Sequence, residues 1–127
     1  MQLSDIEFEE DDEDLDVEAR LDGRRIGYIW CVRDADRLKV SDLHVEPEFR
    51  RHGIGGRLLR MVLTSADKEG VREVWGLVTQ EDLKRWPNLT SWYQHLGFTV
   101  MDATAADRED VPDAVNRIVR RRHASPA

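Results

Sequence analysis

Apolar residues recur along this chain in two different periods, and the change comes near residue 50. From Leu15 to Leu21 they alternate, with Leu15, Val17, Ala19 and Leu21 set against Asp16, Glu18 and Arg20. A period of two predicts a half-buried strand. Asp22-Gly23 then supplies a hairpin turn signal. Ile26 to Val32 predicts a second strand, apolar enough to be buried on both faces, and Asp34-Ala35-Asp36 turns the chain again. Leu38 to Val45 predicts a third strand, ended by Pro47, whose nitrogen has no hydrogen for a ladder. With a short strand around Ile6 to Phe8 in front, the first half reads as an antiparallel meander.

Past residue 50 the period lengthens. Leu58, Leu59, Val62, Leu63 and Ala66 fall on one face of a helix running from about Ile54 to Lys68, which Gly70 stops. Val74-Trp75-Gly76-Leu77-Val78 predicts a buried strand within 71–79, so the strand–helix–strand order favours a parallel, right-handed crossover. Leu89, Trp92, Tyr93 and Leu96 mark a short helix closed by Gly97, and Phe98 to Met101 begins another strand. Residues 80–87 read as a loop, and 102–112 as polar and turn-like. Residues 114–121 read as a strand, with a helix left open. The predicted class is α+β: a mixed, mostly antiparallel sheet of about six or seven strands with two main helices.

A chain of 127 residues fits one domain with one core, residues 1–127, of which 1–14 form a short acidic N-terminal segment. No apolar run approaches the roughly 20 residues that cross a bilayer. The first residues lack the basic and apolar regions of a signal peptide, which makes the cytoplasm the expected location and a membrane an unexpected partner. Glu9 to Asp14 is six like charges in a row, expected to form a solvated loop or, alternatively, to grip a basic substrate. Net charge is −7, which argues against general nucleic-acid binding and would draw cationic partners, amines among them. Cys31 is the single cysteine; it lies in an apolar run and reads as a core residue rather than a nucleophile. No metal-ligand spacing is present.

Basic residues nevertheless cluster at Arg50, Arg51 and Arg57, and again at Arg120-Arg121-Arg122. The first cluster brackets Gly53-Ile54-Gly55-Gly56, set between a strand and a helix. Glycine lets backbone turn tightly and approach a ligand closely. The first N–H groups of a helix have no internal acceptor, and its dipole is positive there. Together these make an anion site suited to a diphosphate. There is no G-x-x-x-x-G-K-[ST], which excludes a P-loop nucleotidase. The turn also lacks a full G-x-G-x-x-G, and the chain is too short for a doubly wound dinucleotide domain.

Arg50-Arg51-His52-Gly53-Ile54-Gly55 resembles the [QR]-x-x-G-x-[GA] signature of the GNAT superfamily of N-acetyltransferases. Leu43-His44-Val45-Glu46-Pro47-Glu48-Phe49 resembles the family's splayed strand and following turn, and Trp92-Tyr93-Gln94-His95-Leu96-Gly97-Phe98 resembles its Y-x-x-x-G-F motif. The resemblance spans about residues 15–121 and implies acetyl-CoA as cosubstrate, with no metal. It implies that the backbone of Leu43, His44 and Val45 pairs with the pantetheine arm. Amides of Arg51, His52, Gly53, Ile54, Gly55 and Gly56 would hold the diphosphate, with Arg50 and Arg57 at its edges. Tyr93 would be the catalytic residue, beside the sulfur. The acceptor would be a primary amine on a small molecule, a peptide N-terminus or a lysine.

The sequence departs from the family in places. Helices that usually follow the first strand are reduced or absent, since only the acidic stretch separates Phe8 from Leu15. The acceptor pocket is then open, suited to a large substrate, or completed by a second copy in a homodimer. Pro87 and Trp86 stand where the family often has asparagine, and Asn88, five before Tyr93, reads as a helix N-cap. Trp86 would line the acceptor side or lie on the surface of the sheet. Asp42, His44, Glu46, Glu81 and Asp82 are the candidate general bases. An acyl-CoA-binding module without catalysis is the competing reading; the intact Tyr93 motif favours the enzyme.

Overall fold

The computed structural model describes residues 2–121. Seven strands, β1 (Glu7–Glu10), β2 (Val17–Leu21), β3 (Arg24–Asp34), β4 (Arg37–Val45), β5 (Glu73–Thr79), β6 (Thr99–Asp102) and β7 (Ala114–Arg121), form one sheet. Their order is β1-β2-β3-β4-β5-β7-β6. Every neighbouring pair is antiparallel except β4 and β5, the strands joined by the long helix α1 (Ile54–Lys68). This is the mixed, mostly antiparallel sheet expected, and 114–121 is a strand rather than a helix. Arg122 of the second basic cluster lies outside the described residues.

Local chemistry explains the meander. Asp22 and Gly23 have φ of 51° and 79°, the left-handed pair of a type I′ turn, whose twist suits the strands it joins. Between β1 and β2 the chain makes a single turn, with the Leu15 N–H donating to the Asp11 carbonyl at 2.8 Å. The Asp11 carboxylate accepts the Glu13 N–H at 2.9 Å. Two details differ from the expectation. Glu9 and Glu10 belong to β1 rather than to a loop, and Leu15 sits in the turn, at φ 61°. A left-handed leucine costs roughly 1–2 kcal/mol, but Leu15 is 1% exposed, and burying its side chain returns a similar amount.

The helix α1 buries Ile54, Leu58, Leu59, Val62, Leu63 and Ala66 against β2, β3 and β4. Val17, Ala19, Ile26, Ile29, Leu38 and Val74 meet it from the sheet. The other face of β2 and β3 carries Glu18, Tyr28, Trp30 and the exposed Val32. No helix intervenes between β1 and β2, as the shortness of that segment required. Among the described residues no helix is long and apolar enough to cross a membrane.

Among the described residues there are four α-helices rather than two. The third and fourth, α2 (Gln80–Arg85) and α4 (Ala105–Asp110), occupy segments expected to be loops, and α3 (Leu89–His95) is the short helix expected. Each of the unexpected pair opens on the same device. Thr79 and Thr104 accept the backbone N–H of Asp82 and Asp107, whose carboxylates accept the threonine N–H groups in return. This reciprocal cap satisfies two free donors and starts a helix with few apolar residues. Asn88 occupies the N-cap place of α3, but its side chain makes no capping bond.

Asp107 also receives the Arg117 guanidinium at 2.8 Å and is 7% exposed. Burial raises its carboxyl pKa, but hydrogen bonds from Thr104 and the Arg117 charge outweigh that and leave it below the ordinary value. The lowered pKa contributes stability above about pH 4 and loses it as acid protonates the folded carboxylate. Asp107→Ala is therefore expected to lower unfolding free energy by about 2 kcal/mol at neutral pH. In urea titrations the gap should narrow as pH falls below about 4. A gap constant to about pH 2 would show that the charge contributes nothing.

Candidate functional site

The site follows from an interrupted ladder. Parallel pairing of β4 with β5 covers only Arg37↔Glu73, Leu38↔Val74 and Lys39↔Trp75. Beyond those pairs the strands diverge, leaving 40–45 of β4 and 76–79 of β5 without each other. At the branch, a Cβ on Gly76 would lie 3.3 Å from the Val40 carbonyl oxygen, so the two backbones are still close where the pairing ends. On the opposite side β4 carries a bulge. Trp30 faces Asp42 and Cys31 faces Val40, which leaves Ser41 without an opposite number on β3. A bulge bends the strand and re-aims its groups.

The opening is a cleft of about 780 Å³, floored by β4 and closed by the turn after it, by α2 and by α3. Of the residues expected at the site, Leu43, His44, Val45, Arg50, Arg51, Gly53, Ile54, Gly55, Gly56 and Tyr93 all line it. His52 and Arg57 do not. His52 is exposed, and the Arg57 guanidinium is turned to β1, 4.1 Å from the centre of the Phe8 ring.

The glycine turn has the geometry its sequence predicts. Gly53 is the N-cap of α1 at φ 78°, and no side chain caps the helix. The first helical bond runs from the Arg57 N–H to the Gly53 carbonyl at 3.0 Å. The amides of Ile54, Gly55 and Gly56 therefore have no acceptor within the helix, and these three residues line the cleft. Arg51 is held at φ 67°, a left-handed conformation that costs a non-glycine residue about 1–2 kcal/mol. Arg50 is braced: its Nε donates to the Val45 carbonyl at 2.9 Å and its guanidinium lies 4.6 Å from the Trp86 ring. Three free amides, a positive helix end and two arginines are a donor set that fits a diphosphate. The carboxylates of the cleft, Asp42 and Asp82, come from β4 and α2 rather than from this turn.

Tyr93 stands on α3, 8% exposed, edge-on to Trp92 and Phe98 at 5.0 and 5.4 Å. Burial, with the Asp82 carboxylate nearby, pushes its hydroxyl pKa up to about 12. Of the candidate bases, Asp42, His44 and Asp82 line the cleft. Asp42 accepts the Tyr28 hydroxyl at 2.8 Å, and the His44 and Tyr28 rings are 5.6 Å apart. Glu46 is paired with Arg24, and Glu81 with Arg85 on the surface. Trp86 and the loop before α3 line the cleft as well. The contribution of α2 was missed because its few apolar residues show no period; the Thr79-x-x-Asp82 cap was the available signal.

This arrangement of splayed parallel strands, free amides at a helix start and a buried tyrosine defines a recognisable class. Residues 16–100 match the acetyltransferase (GNAT) domain, and the chain belongs to that family. An uncharacterized N-acetyltransferase of Mycobacterium tuberculosis is 31% identical over 83 residues, 65% of this chain and 51% of the relative. The chain thus spans about half the length of curated relatives it matches. Among solved structures, the PaiA N-acetyltransferase of Thermoplasma acidophilum in complex with coenzyme A superposes with a TM-score of 0.68 at 22% identity, covering 85% of this chain and 60% of that one. The diaminobutyrate acetyltransferase EctA of Paenibacillus lautus, in complex with L-2,4-diaminobutyric acid and coenzyme A, gives 0.66 at 20% identity, covering 90% and 74%.

Two outcomes test the site. Gly53→Val forces a branched side chain into the left-handed region, where space is open but the backbone is strained. It should weaken coenzyme A binding by roughly 5- to 30-fold in calorimetry, from a loss of about 1–2 kcal/mol in pre-organised turn geometry. Unchanged affinity would remove the turn from the site. Cys31 is buried, and burial, with Asp16 nearby, pushes its thiol pKa up to about 12. Iodoacetamide at neutral pH should leave the folded protein unmodified; rapid alkylation would contradict the burial.

Proposed function

We propose that this chain is an acyltransferase that moves the acetyl group of acetyl-CoA to a primary amine, both bound together in the cleft. The observation that carries the reading is the pairing of unpartnered amides at Ile54–Gly56 with a buried tyrosine across one cleft opened by the β4–β5 splay. Membership of the GNAT family and the coenzyme A-bound neighbours support it.

Bound acetyl-CoA supplies an activated thioester. The amides of Ile54, Gly55 and Gly56 hold its diphosphate, with Arg51 adding charge and Arg50 bracing the turn. His52 and Arg57 play no direct part in this reading. The unpaired edge at Leu43, His44 and Val45 accepts an amide-bearing arm as an added strand. The bulge at Ser41 aims backbone N–H toward the acyl oxygen, where negative charge develops. His44 lines the cleft, and its imidazole takes the proton of the acceptor ammonium, directly or through water. Holding amine and thioester in reach accounts for most of the acceleration.

The role of Tyr93 is set by magnitudes. A thiol has a pKa of about 8.5. Complete transfer from a hydroxyl near 12 to a thiolate is uphill by about 5 kcal/mol. Tyr93 therefore serves as a hydrogen-bond donor that stabilises the sulfur as it gains charge, and solvent completes the protonation. That is a narrower part than outright proton donation. Tyr93→Phe is expected to lower kcat by roughly 10- to 100-fold with acetyl-CoA affinity within about twofold. The raised pKa also has a sign: the hydroxyl stays protonated up to about pH 12, so kcat should show no alkaline decline from this group between about pH 9 and 11. Equal turnover in the variant would take Tyr93 out of the mechanism.

A further inference from the structure

Lys39 has no task in that reading, yet it stands at the apex of the cleft. It faces Trp75 in the last β4–β5 pair before the strands part, and its Nζ lies 5.1 Å from the centre of the Trp75 ring. Two guanidiniums share that indole, Arg37 at 5.1 Å and Arg117 at 4.1 Å. Each of them has a carboxylate partner, Glu73 for Arg37 and Asp107 for Arg117. Among the described residues no carboxylate pairs with Lys39, whose interaction is with the Trp75 ring alone. In a protein with 26 acidic and 19 basic residues, an uncompensated half-buried cation inside the principal cleft calls for a cause.

An ordinary lysine laid over tryptophan keeps its ammonium in water, and one such contact would need nothing more. Lys39 differs because the carboxylates around that ring, Glu73 and Asp107, are already taken by Arg37 and Arg117, which leaves its own charge unanswered. It also differs in position. At about 3.3 Å of rise per residue, Lys39 stands one pleat, about 7 Å, before the Ser41 bulge. The diphosphate donors, Arg50 and Arg51, belong to the turn beyond the other end of β4. The anion at Lys39 is therefore on the second substrate.

We propose that the acceptor is a small amino acid, whose carboxylate pairs with Lys39 while its amine lies near the Ser41 bulge. This deepens the acetyl-transfer reading and rests on it. In the transfer, the amine nitrogen bonds to the acyl carbon as the C–S bond breaks. The sulfur keeps that electron pair, and one amine proton passes to solvent. Asp42 and Asp82 border the same cleft and favour the ammonium end, while Lys39 favours the carboxylate end. Lys39 is thus a specificity-determining residue rather than a catalytic one.

The test is thiol release from acetyl-CoA with the twenty amino acids, their carboxamides, and dipeptides beginning with the same residues. Calorimetry with acetyl-CoA is run in parallel on the wild type, Lys39→Gln and Lys39→Arg. At least one free amino acid should exceed its carboxamide in kcat/KM by roughly 10- to 100-fold, and exceed the dipeptides as well. Lys39→Gln should abolish that preference through KM with acetyl-CoA affinity unchanged, and Lys39→Arg should keep most of it. Equal rates for acid and amide overturn the proposal. So does a preference that survives Lys39→Gln, faster dipeptides, or no acceptor among these for a protein that binds acetyl-CoA. A protein that fails to bind acetyl-CoA sinks the transfer reading itself, and the two failures are told apart by the calorimetry.

Discussion

The parting of β4 from β5 after the Lys39↔Trp75 pair is the constraint on which the rest depends. A parallel ladder kept to its end would satisfy the backbone of both strands and leave no opening. Here the ladder stops, and the edge of β4 from Val40 to Val45 is offered to something else. An unpaired edge inside a domain is a liability unless a ligand or covering element uses it. The structure limits that liability from three sides. The turn at Pro47–Phe49 bends the chain away, Arg50 reaches back to the Val45 carbonyl, and α2 and α3 fill the far side of the gap. The bulge at Ser41 belongs to the same solution, since it bends β4 just where its partner leaves.

Charge in the cleft is arranged by the same geometry. Most of the arginines are committed to carboxylates: Arg20, Arg24, Arg25, Arg33, Arg37, Arg72, Arg85, Arg117, Arg120 and Arg121 all have ion-pair partners. Apart from the buried Arg117–Asp107 pair, surface pairs of this kind contribute little to stability, commonly under about 1 kcal/mol each. Their effect is to neutralise positive charge elsewhere, so that the cations left uncommitted in the cleft dominate its field. Arg50 and Arg51 mark one end, and Lys39 the other. The net charge of −7 hides this local distribution.

Much of this was legible in the residues. The strands through Val45 followed from alternation and turn chemistry, and α1 from its apolar stripe and its glycines. The turn at 50–56 was readable because its left-handed backbone favours particular residues, Gly53 at φ 78° above all. Arg57 shows the limit. Its proximity in sequence suggested the diphosphate, but one helical turn carries its side chain round to Phe8 on β1, and no spacing rule gives that contact. The helices α2 and α4 were illegible to periodicity because six residues with few apolar side chains show none. Their signal was a threonine and an aspartate three apart. Lys39 was invisible for another reason: that it lacks a partner is a fact about all the carboxylates around it, and a sequence does not say where those go.

The missing helices between β1 and β2 leave a face of the sheet that must be stabilised by its own side chains. Tyr28 and Trp30 stack at 4.5 Å, and the Arg25 guanidinium covers both rings at 4.8 and 5.4 Å. Glu18 holds Arg25 at 3.5 Å, and Asp42 accepts the Tyr28 hydroxyl, so the layer is tied to β2 at one side and to β4 at the other. Arg37 and Arg117 do the same for Trp75, anchored by Glu73 and Asp107. A guanidinium over an aromatic face keeps its charge hydrated while its stem shields apolar surface. Such a layer is one side chain thick, where a helix would be about 10 Å across. It protects the sheet without roofing the cleft, so the unpaired edge of β4 stays open between two aromatic–cation clusters.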